Sequence, residues 1–255
     1  TRHGVATIHA FTKTRLEQKN EIGNIVRASE SQAILAGDIV FNQVYKLLNK
    51  DSWSTPEIRS NIRSVFEQLI DEVCIGQMLD INLTTKAQVT FQDIEEKNRL
   101  KTAYYSFARP LHIGAILSGY TDSIPFMLSF GECIGMLFQI QDDVLDVTGD
   151  PQQTKKNLFT DIFSNQHTVL TQYIQEKSDK TYVQKLDAFR GYAKETANEA
   201  EIKALFVESG ATTFAQTLID TYEKKALEMI HASDLNDTLK QNLESTVALL
   251  IRRTS

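Results

Sequence analysis

The chain has 255 residues, with 33 aspartates and glutamates against 27 lysines and arginines, and a formal net charge of −6 at pH 7. This balance excludes nucleic acid as the main partner, because gripping a phosphate backbone takes a concentrated basic face. An anionic ligand would need a metal ion beside it. Cys74 and Cys133 lie in apolar helical stretches without metal-ligand spacing, so two buried free thiols in a reducing compartment, the cytoplasm, are expected. A run of about 18 uncharged apolar residues is missing, as is a signal-peptide pattern, so neither a transmembrane segment nor secretion is expected. Thr1 rather than Met opens the chain, and a longer translated product is expected.

The predicted elements run helix after helix from the middle of the first fifty residues. Apolar positions from Ala33 to Leu48 recur at helical spacing and predict a helix over residues 30–49. Ser54, Thr55, Pro56 and Glu57 form a start signal, with Pro56 suited to the first helical position, for a helix reaching Leu79. Thr90 to Asp93 resembles a capping box that opens a helix to Phe107, and a further helix follows Pro110 over Ile113 to Gly119. A strongly apolar helix is predicted from Ile124 to Leu145, stopped by Gly149, Asp150 and Pro151. The polar stretch 154–168 reads as a loop or short helix. Helices over 165–177, 180–208, 211–231 and 235–252 complete the chain. Four prolines and eleven glycines fall mostly between these segments, and alternating runs flanked by hairpin turns are lacking. The fold class is therefore all-α, as a single domain over residues 1–255.

Residues 138–150 read FQIQDDVLDVTGD. Helical spacing places Asp142 and Asp143 each on the face of Asp146, where like charges repel by a few tenths of a kcal/mol per pair. Their position at a helix C-terminus disfavours negative charge further. A bound cation reverses the sign of that cost. Hard carboxylate oxygens on one helical face suit Mg2+, which keeps part of its water shell and completes its octahedron with substrate phosphate oxygens. Asp142, Asp143 and Asp146 are thus the candidate metal ligands. A solvated acidic patch is the bland alternative. The apolar helix that carries them, with Met127, Phe130, Ile134, Leu137 and Ile140, argues instead for carboxylates facing a cleft.

FQIQDDVLDVTGD resembles the second aspartate-rich motif of the trans-isoprenyl diphosphate synthases, all-α head-to-tail prenyltransferases that make farnesyl, geranylgeranyl and longer diphosphates. Further matches follow in that family's order along the chain. Ser31 to Asp38 is similar to its AILAGD segment, Gly76-Gln77 with Asp80 to its GQ..D segment, Lys101-Thr102 to its KT motif, and Leu249 to Arg253 to a common C-terminal ending. The resemblance covers residues 30–255. It implies an isoprenoid-synthase helical bundle around a central cavity, with Mg2+ as cofactor and a cytoplasmic homodimer as the assembly. The substrates it implies are an allylic diphosphate and isopentenyl diphosphate. Carried over residue by residue, it makes Asp142, Asp143 and Asp146 the Mg2+ ligands and sets Gln139 one turn earlier. Lys101 and Lys156 then contact the allylic diphosphate, with Thr102 beside Lys101. The implied reaction ionises the allylic diphosphate, joins the resulting cation to the double bond of isopentenyl diphosphate, and loses a proton, for which the released diphosphate is the usual base.

The first aspartate-rich motif of that family is not found in these 255 residues. Two alignments of the N-terminus stand open. In one, Arg2, Gly4, Thr7 and His9 match the RRGxPTxH string that follows the first motif, which makes Arg2 a diphosphate contact and puts the aspartates upstream of Thr1. In the other, Ile8 to Phe11 match the lead-in to the motif and LEQKN takes the aspartate positions. Other departures lie after the second motif: Lys155-Lys156 replaces Gly-Lys, Phe159 stands where glycine is usual, and Gln166 holds a position often taken by lysine. Asp161 matches. A non-catalytic subunit of a heteromeric synthase and a terpene cyclase of the same architecture are the alternative functions.

Overall fold

The computed structural model describes residues 5–50, 54–86, 88–150, 158–190 and 198–252. Every element among them is helical, as the all-α reading expects. The chain divides into two compact units, Thr1–Arg63 and Ser64–Ser255. In the first, α1 (Ile8–Gln18) packs on α2 (Ile25–Leu48). The Asn24 side chain accepts the Arg27 N–H, which starts α2 ahead of the expected residue 30. Sequence reading had no helix at α1, which buries none of its residues and so carries no apolar stripe to detect.

α3 (Pro56–Leu83) opens where Pro56 directs, with Thr55 Oγ1 accepting the Ile58 N–H, and runs one turn beyond Leu79. α4 (Phe91–Asn98) opens on the expected capping box: Thr90 Oγ1 accepts the Asp93 N–H, and the Asp93 carboxylate accepts the Thr90 N–H. The helix does not stop near Phe107. It widens into π-helical turns over Arg99–Ala108 and tightens again as α5 (Arg109–Ser118). Pro110, expected to separate two helices, therefore lies inside one continuous helical run. Proline lacks an N–H and its ring crowds the carbonyl four residues back. The Arg109 N–H reaches the Tyr104 carbonyl five residues back, so the backbone is already opened just ahead of the proline.

α6 (Ile124–Thr148) is the central helix of the second unit. After it come α7 (Thr160–Phe163), α8 (Val169–Lys177), α9 (Lys180–Phe189), α10 (Glu199–Glu208), α11 (Ala211–Ala232) and α12 (Asp237–Ile251). The helix expected from residue 165 starts at Val169, because Thr168 and Thr171 form a reciprocal cap. Of the stretch expected as one helix over 180–208, the described residues form α9, which ends at Phe189, and α10, which Asn198 caps. The π-helix, α5, α8, α11 and α12 all pack against α6. Phe130, Cys133 and Ile134 bury against Ala226, Ile230 and Val247, while Leu137, Ile140 and Val147 join Leu170, Ile174, Phe206 and Ile219. Each large apolar side chain so buried contributes roughly 1.5–3 kcal/mol. Among the described residues only the stretch containing α6, Thr121–Thr148, is long and apolar enough to cross a membrane. Half of its apolar stretch is buried in the protein core.

Both cysteines are free. Cys133 is buried as expected, but Cys74 is exposed. It shares an outward stretch of α3 with Ile75 and Met78, and an apolar run does not reveal which of its sides meets the core.

Candidate active site

Three elements carry the polar chemistry of the second unit: the part of α3 beyond Arg63, the run of α4 into the π-helix, and α6. Glycines bring their backbones together. A Cβ at Gly76 of α3 would lie 2.3 Å from the Lys101 backbone nitrogen, and a Cβ at Gly135 of α6 would lie 2.4 Å from Ala103 Cα. No side chain fits at either place. The π-helix thus lies flush against both neighbours, and Thr102 comes within reach of Gln139, one turn beyond Gly135.

The Thr102 hydroxyl donates to Gln139 Oε1 at 2.6 Å, and Gln139 Nε2 donates to Asp143 Oδ1 at 2.7 Å. On the α3 wall the buried Asp80 accepts from Lys101 Nζ at 2.6 Å. Lys97, one turn before Lys101, donates to the His167 carbonyl at 2.7 Å and stands 3.6 Å from Asp80 Oδ1. These side chains, with Asp142, Asp161, Tyr105, Phe138 and Gln166, line a cleft of about 360 Å³.

Burial dominates the electrostatics. It pushes the Asp143 carboxyl well above the usual carboxylate range, and Asp142 and Asp146 add to the rise while Lys97 and the Gln139 hydrogen bond oppose it. Asp143 Oδ2 is buried without a hydrogen-bond partner. Burial likewise raises Asp161, with Asp143 and Asp146 adding to it, and raises Asp146, whose hydrogen bonds to Thr160 and Asp161 oppose it. Asp146 Oδ1 accepts from the Thr160 hydroxyl at 2.6 Å and the Thr160 N–H at 3.1 Å, and Oδ2 accepts from the Asp161 N–H at 3.2 Å. The Phe159 N–H donates to the Asp146 carbonyl at 2.8 Å, with Phe159 held at φ 59°. That left-handed backbone costs a non-glycine residue about 1–2 kcal/mol. The phenyl ring, 2% exposed, offsets it by burial.

Of the residues singled out in sequence, Lys101, Thr102, Gln139, Asp142 and Asp143 meet in this one cleft. Asp146 lies a turn further along α6, lining a smaller hollow with Asp143 and Asp161, its oxygens engaged by α7. Arg2 and Lys156 lie outside the described residues. Sequence reasoning missed Lys97 and gave Asp80 no role. The helical spacing of Lys97 and Lys101 is the signal that could have drawn attention to the first.

The donors suit a hard divalent cation: they are carboxylate oxygens, and one of them is buried and unpartnered. Among the described residues no three carboxylate, histidine or cysteine side chains converge into a preformed metal cluster.

The chain is 30% identical over 228 residues to the geranylgeranyl diphosphate synthase of Methanosarcina mazei, covering 89% of this chain and 66% of that protein. It is 28% identical over 214 residues to the short chain isoprenyl diphosphate synthase of Methanothermobacter thermautotrophicus, covering 82% of this chain and 65% of that protein. The chain thus spans slightly less than two thirds of the length of these curated relatives. Among solved structures it resembles the geranylgeranyl pyrophosphate synthase of Corynebacterium glutamicum complexed with isoprenyl diphosphate and magnesium. That likeness has a TM-score of 0.90 at 28% identity and covers 99% of this chain and 72% of that one. The polyprenyl synthetase family matches residues 4–209. With that span, and with lysine, glutamine and paired aspartates set around one cleft of an all-α unit, the chain belongs to the polyprenyl synthetase family.

Proposed function

We propose that the chain carries a prenyl-transfer site that joins isopentenyl diphosphate to an allylic diphosphate with Mg2+ as cofactor, acting as a cytoplasmic homodimer. The observation that carries this reading is the cleft itself. A lysine tethered by a buried aspartate lines the same 360 Å³ hollow as Asp142 and Asp143. The relatives named above, a geranylgeranyl diphosphate synthase and a short chain isoprenyl diphosphate synthase, support it.

Each residue has a definable task. Lys101 stays partly exposed, with 34% of its side chain accessible, while Asp80 fixes its direction. Its ammonium donates charge-assisted hydrogen bonds to a diphosphate oxygen. Gln139 is locked at both ends of its amide, by Thr102 and by Asp143, and so orients the carboxylate that faces the ion. Asp142 and Asp143 would hold Mg2+, which when bound neutralises the charge gathering on the departing diphosphate. Asp146, by its place in the motif, is a further ligand, and its Oδ2, which accepts one N–H from Asp161, keeps a lone pair for the ion. Val73, Tyr105 and Phe138 give the prenyl chain an apolar and aromatic wall that keeps water from the cationic carbon. Arg2 and Lys156 belong to this proposal as diphosphate contacts, on their sequence positions alone.

The purified protein, given Mg2+, isopentenyl diphosphate and an allylic diphosphate, is expected to yield a longer diphosphate, resolved by mass spectrometry. Asp142→Ala is expected to slow formation by orders of magnitude. Absence of any longer product with every allylic primer offered defeats the reading.

A further inference from the structure

Lys97 lies in the wall of the cleft with its side chain 5% exposed. A buried ammonium must be compensated by fixed acceptors or opposite charge. Its nearest carboxylate, Asp80, already receives Lys101 at 2.6 Å on Oδ2, and its other oxygen lies 3.6 Å from Lys97 with no hydrogen bond to it. One aspartate thus faces two lysines. Lys97 lines the same cleft as Asp142, Asp143 and Asp161, so its uncompensated positive charge is shared with these acids. The cleft lining holds Asp80, Asp142, Asp143 and Asp161 against Lys97 and Lys101, so without Lys97 the acidic excess grows.

We propose that Lys97 is the resident counter-cation of this acidic wall: it stabilises the carboxylates when no ion is bound and, by repulsion, weakens their grip on Mg2+. This inference rests on the reading of Asp142 and Asp143 as Mg2+ ligands. It assigns Lys97 a positioning role in metal affinity, distinct from a tether on the His167 carbonyl.

Lys97→Gln separates the two roles, since glutamine offers the His167 carbonyl an N–H donor but brings no charge. Mg2+, alone and with inorganic pyrophosphate present, is titrated calorimetrically into native protein, Lys97→Gln and Lys97→Arg, and melting is followed with and without Mg2+. Lys97→Gln is expected to melt lower without metal, to bind Mg2+ roughly tenfold more tightly, and to gain more stability from Mg2+ than the native chain does. Lys97→Arg keeps the charge and is expected to stay near the native affinity. Native Mg2+ binding with equal or weaker binding by Lys97→Gln overturns this inference alone. No Mg2+ binding by the native protein, either alone or with inorganic pyrophosphate present, overturns the metal reading and this inference with it. If Lys97→Gln is unfolded without metal, refolding on addition of Mg2+ supports the proposal, and failure to refold overturns it.

Discussion

Thr102 and Gln139 are joined by a 2.6 Å hydrogen bond across the contact between the π-helix and α6, and this bond turns the Gln139 amide so that its Nε2 meets Asp143 at 2.7 Å. Thr102→Val keeps the shape of the side chain and removes the donor. The half-buried Gln139 oxygen then loses its partner, at about 1 kcal/mol. The expected outcome is a kcat lowered by roughly tenfold with little change in KM for isopentenyl diphosphate. Steady-state kinetics of the variant checks it, and an unchanged kcat shows that Gln139 needs no such alignment.

Gly135 is required by the approach of the π-helix, whose Ala103 Cα leaves no room for a Cβ. Gly135→Ala must push the π-helix away or strain α6, which costs about 1–3 kcal/mol in a packed interior. Urea unfolding should show a lowered midpoint with the slope retained. Because Thr102 moves with Ala103, activity should fall by more than the loss of folded protein explains. A midpoint equal to that of the native chain contradicts the tight packing.

His167 is buried, its Nδ1 lacks a partner, and burial, helped by Arg190 and Lys97, lowers its pKa from 6.5 to about 4. The folded state keeps this imidazole neutral while the unfolded chain protonates it below about pH 6.5. Between that value and pH 4 the unfolded state binds more protons, so the stability associated with His167 is present above pH 6.5 and is lost as pH falls towards 4. His167→Gln should flatten this part of the stability curve relative to the native protein. Chemical denaturation at several pH values measures the difference, and parallel curves for the two proteins refute it.

Much of the site was legible because its signals are local. The aspartates of α6 declare themselves by like charges at helical spacing, and Thr90 with Asp93 by a cap that four residues suffice to write. Lys101 and Thr102 were found only through resemblance, since a lysine on a helix reads as solvated. What stayed hidden depends on tertiary placement. The π-helical turns leave no distinct apolar period, so Pro110 looked like a boundary. The buried state of Lys97 is set by Asp80 on α3 and by the His167 carbonyl, 70 residues away in sequence. Phe159, which stands where the resembling family usually has glycine, adopts a positive φ that its residue type does not announce.

The central claim is that the acids of α6 and the lysine of the π-helix serve one diphosphate ligand together. Calorimetric titration of the native protein with an allylic diphosphate, with and without Mg2+, and of Asp143→Asn and Lys101→Met with Mg2+ present, tests it most directly. Binding is predicted to require Mg2+ in the native protein and to weaken at least tenfold in each variant. Binding that proceeds equally well without Mg2+, or that neither substitution alters, would contradict the account.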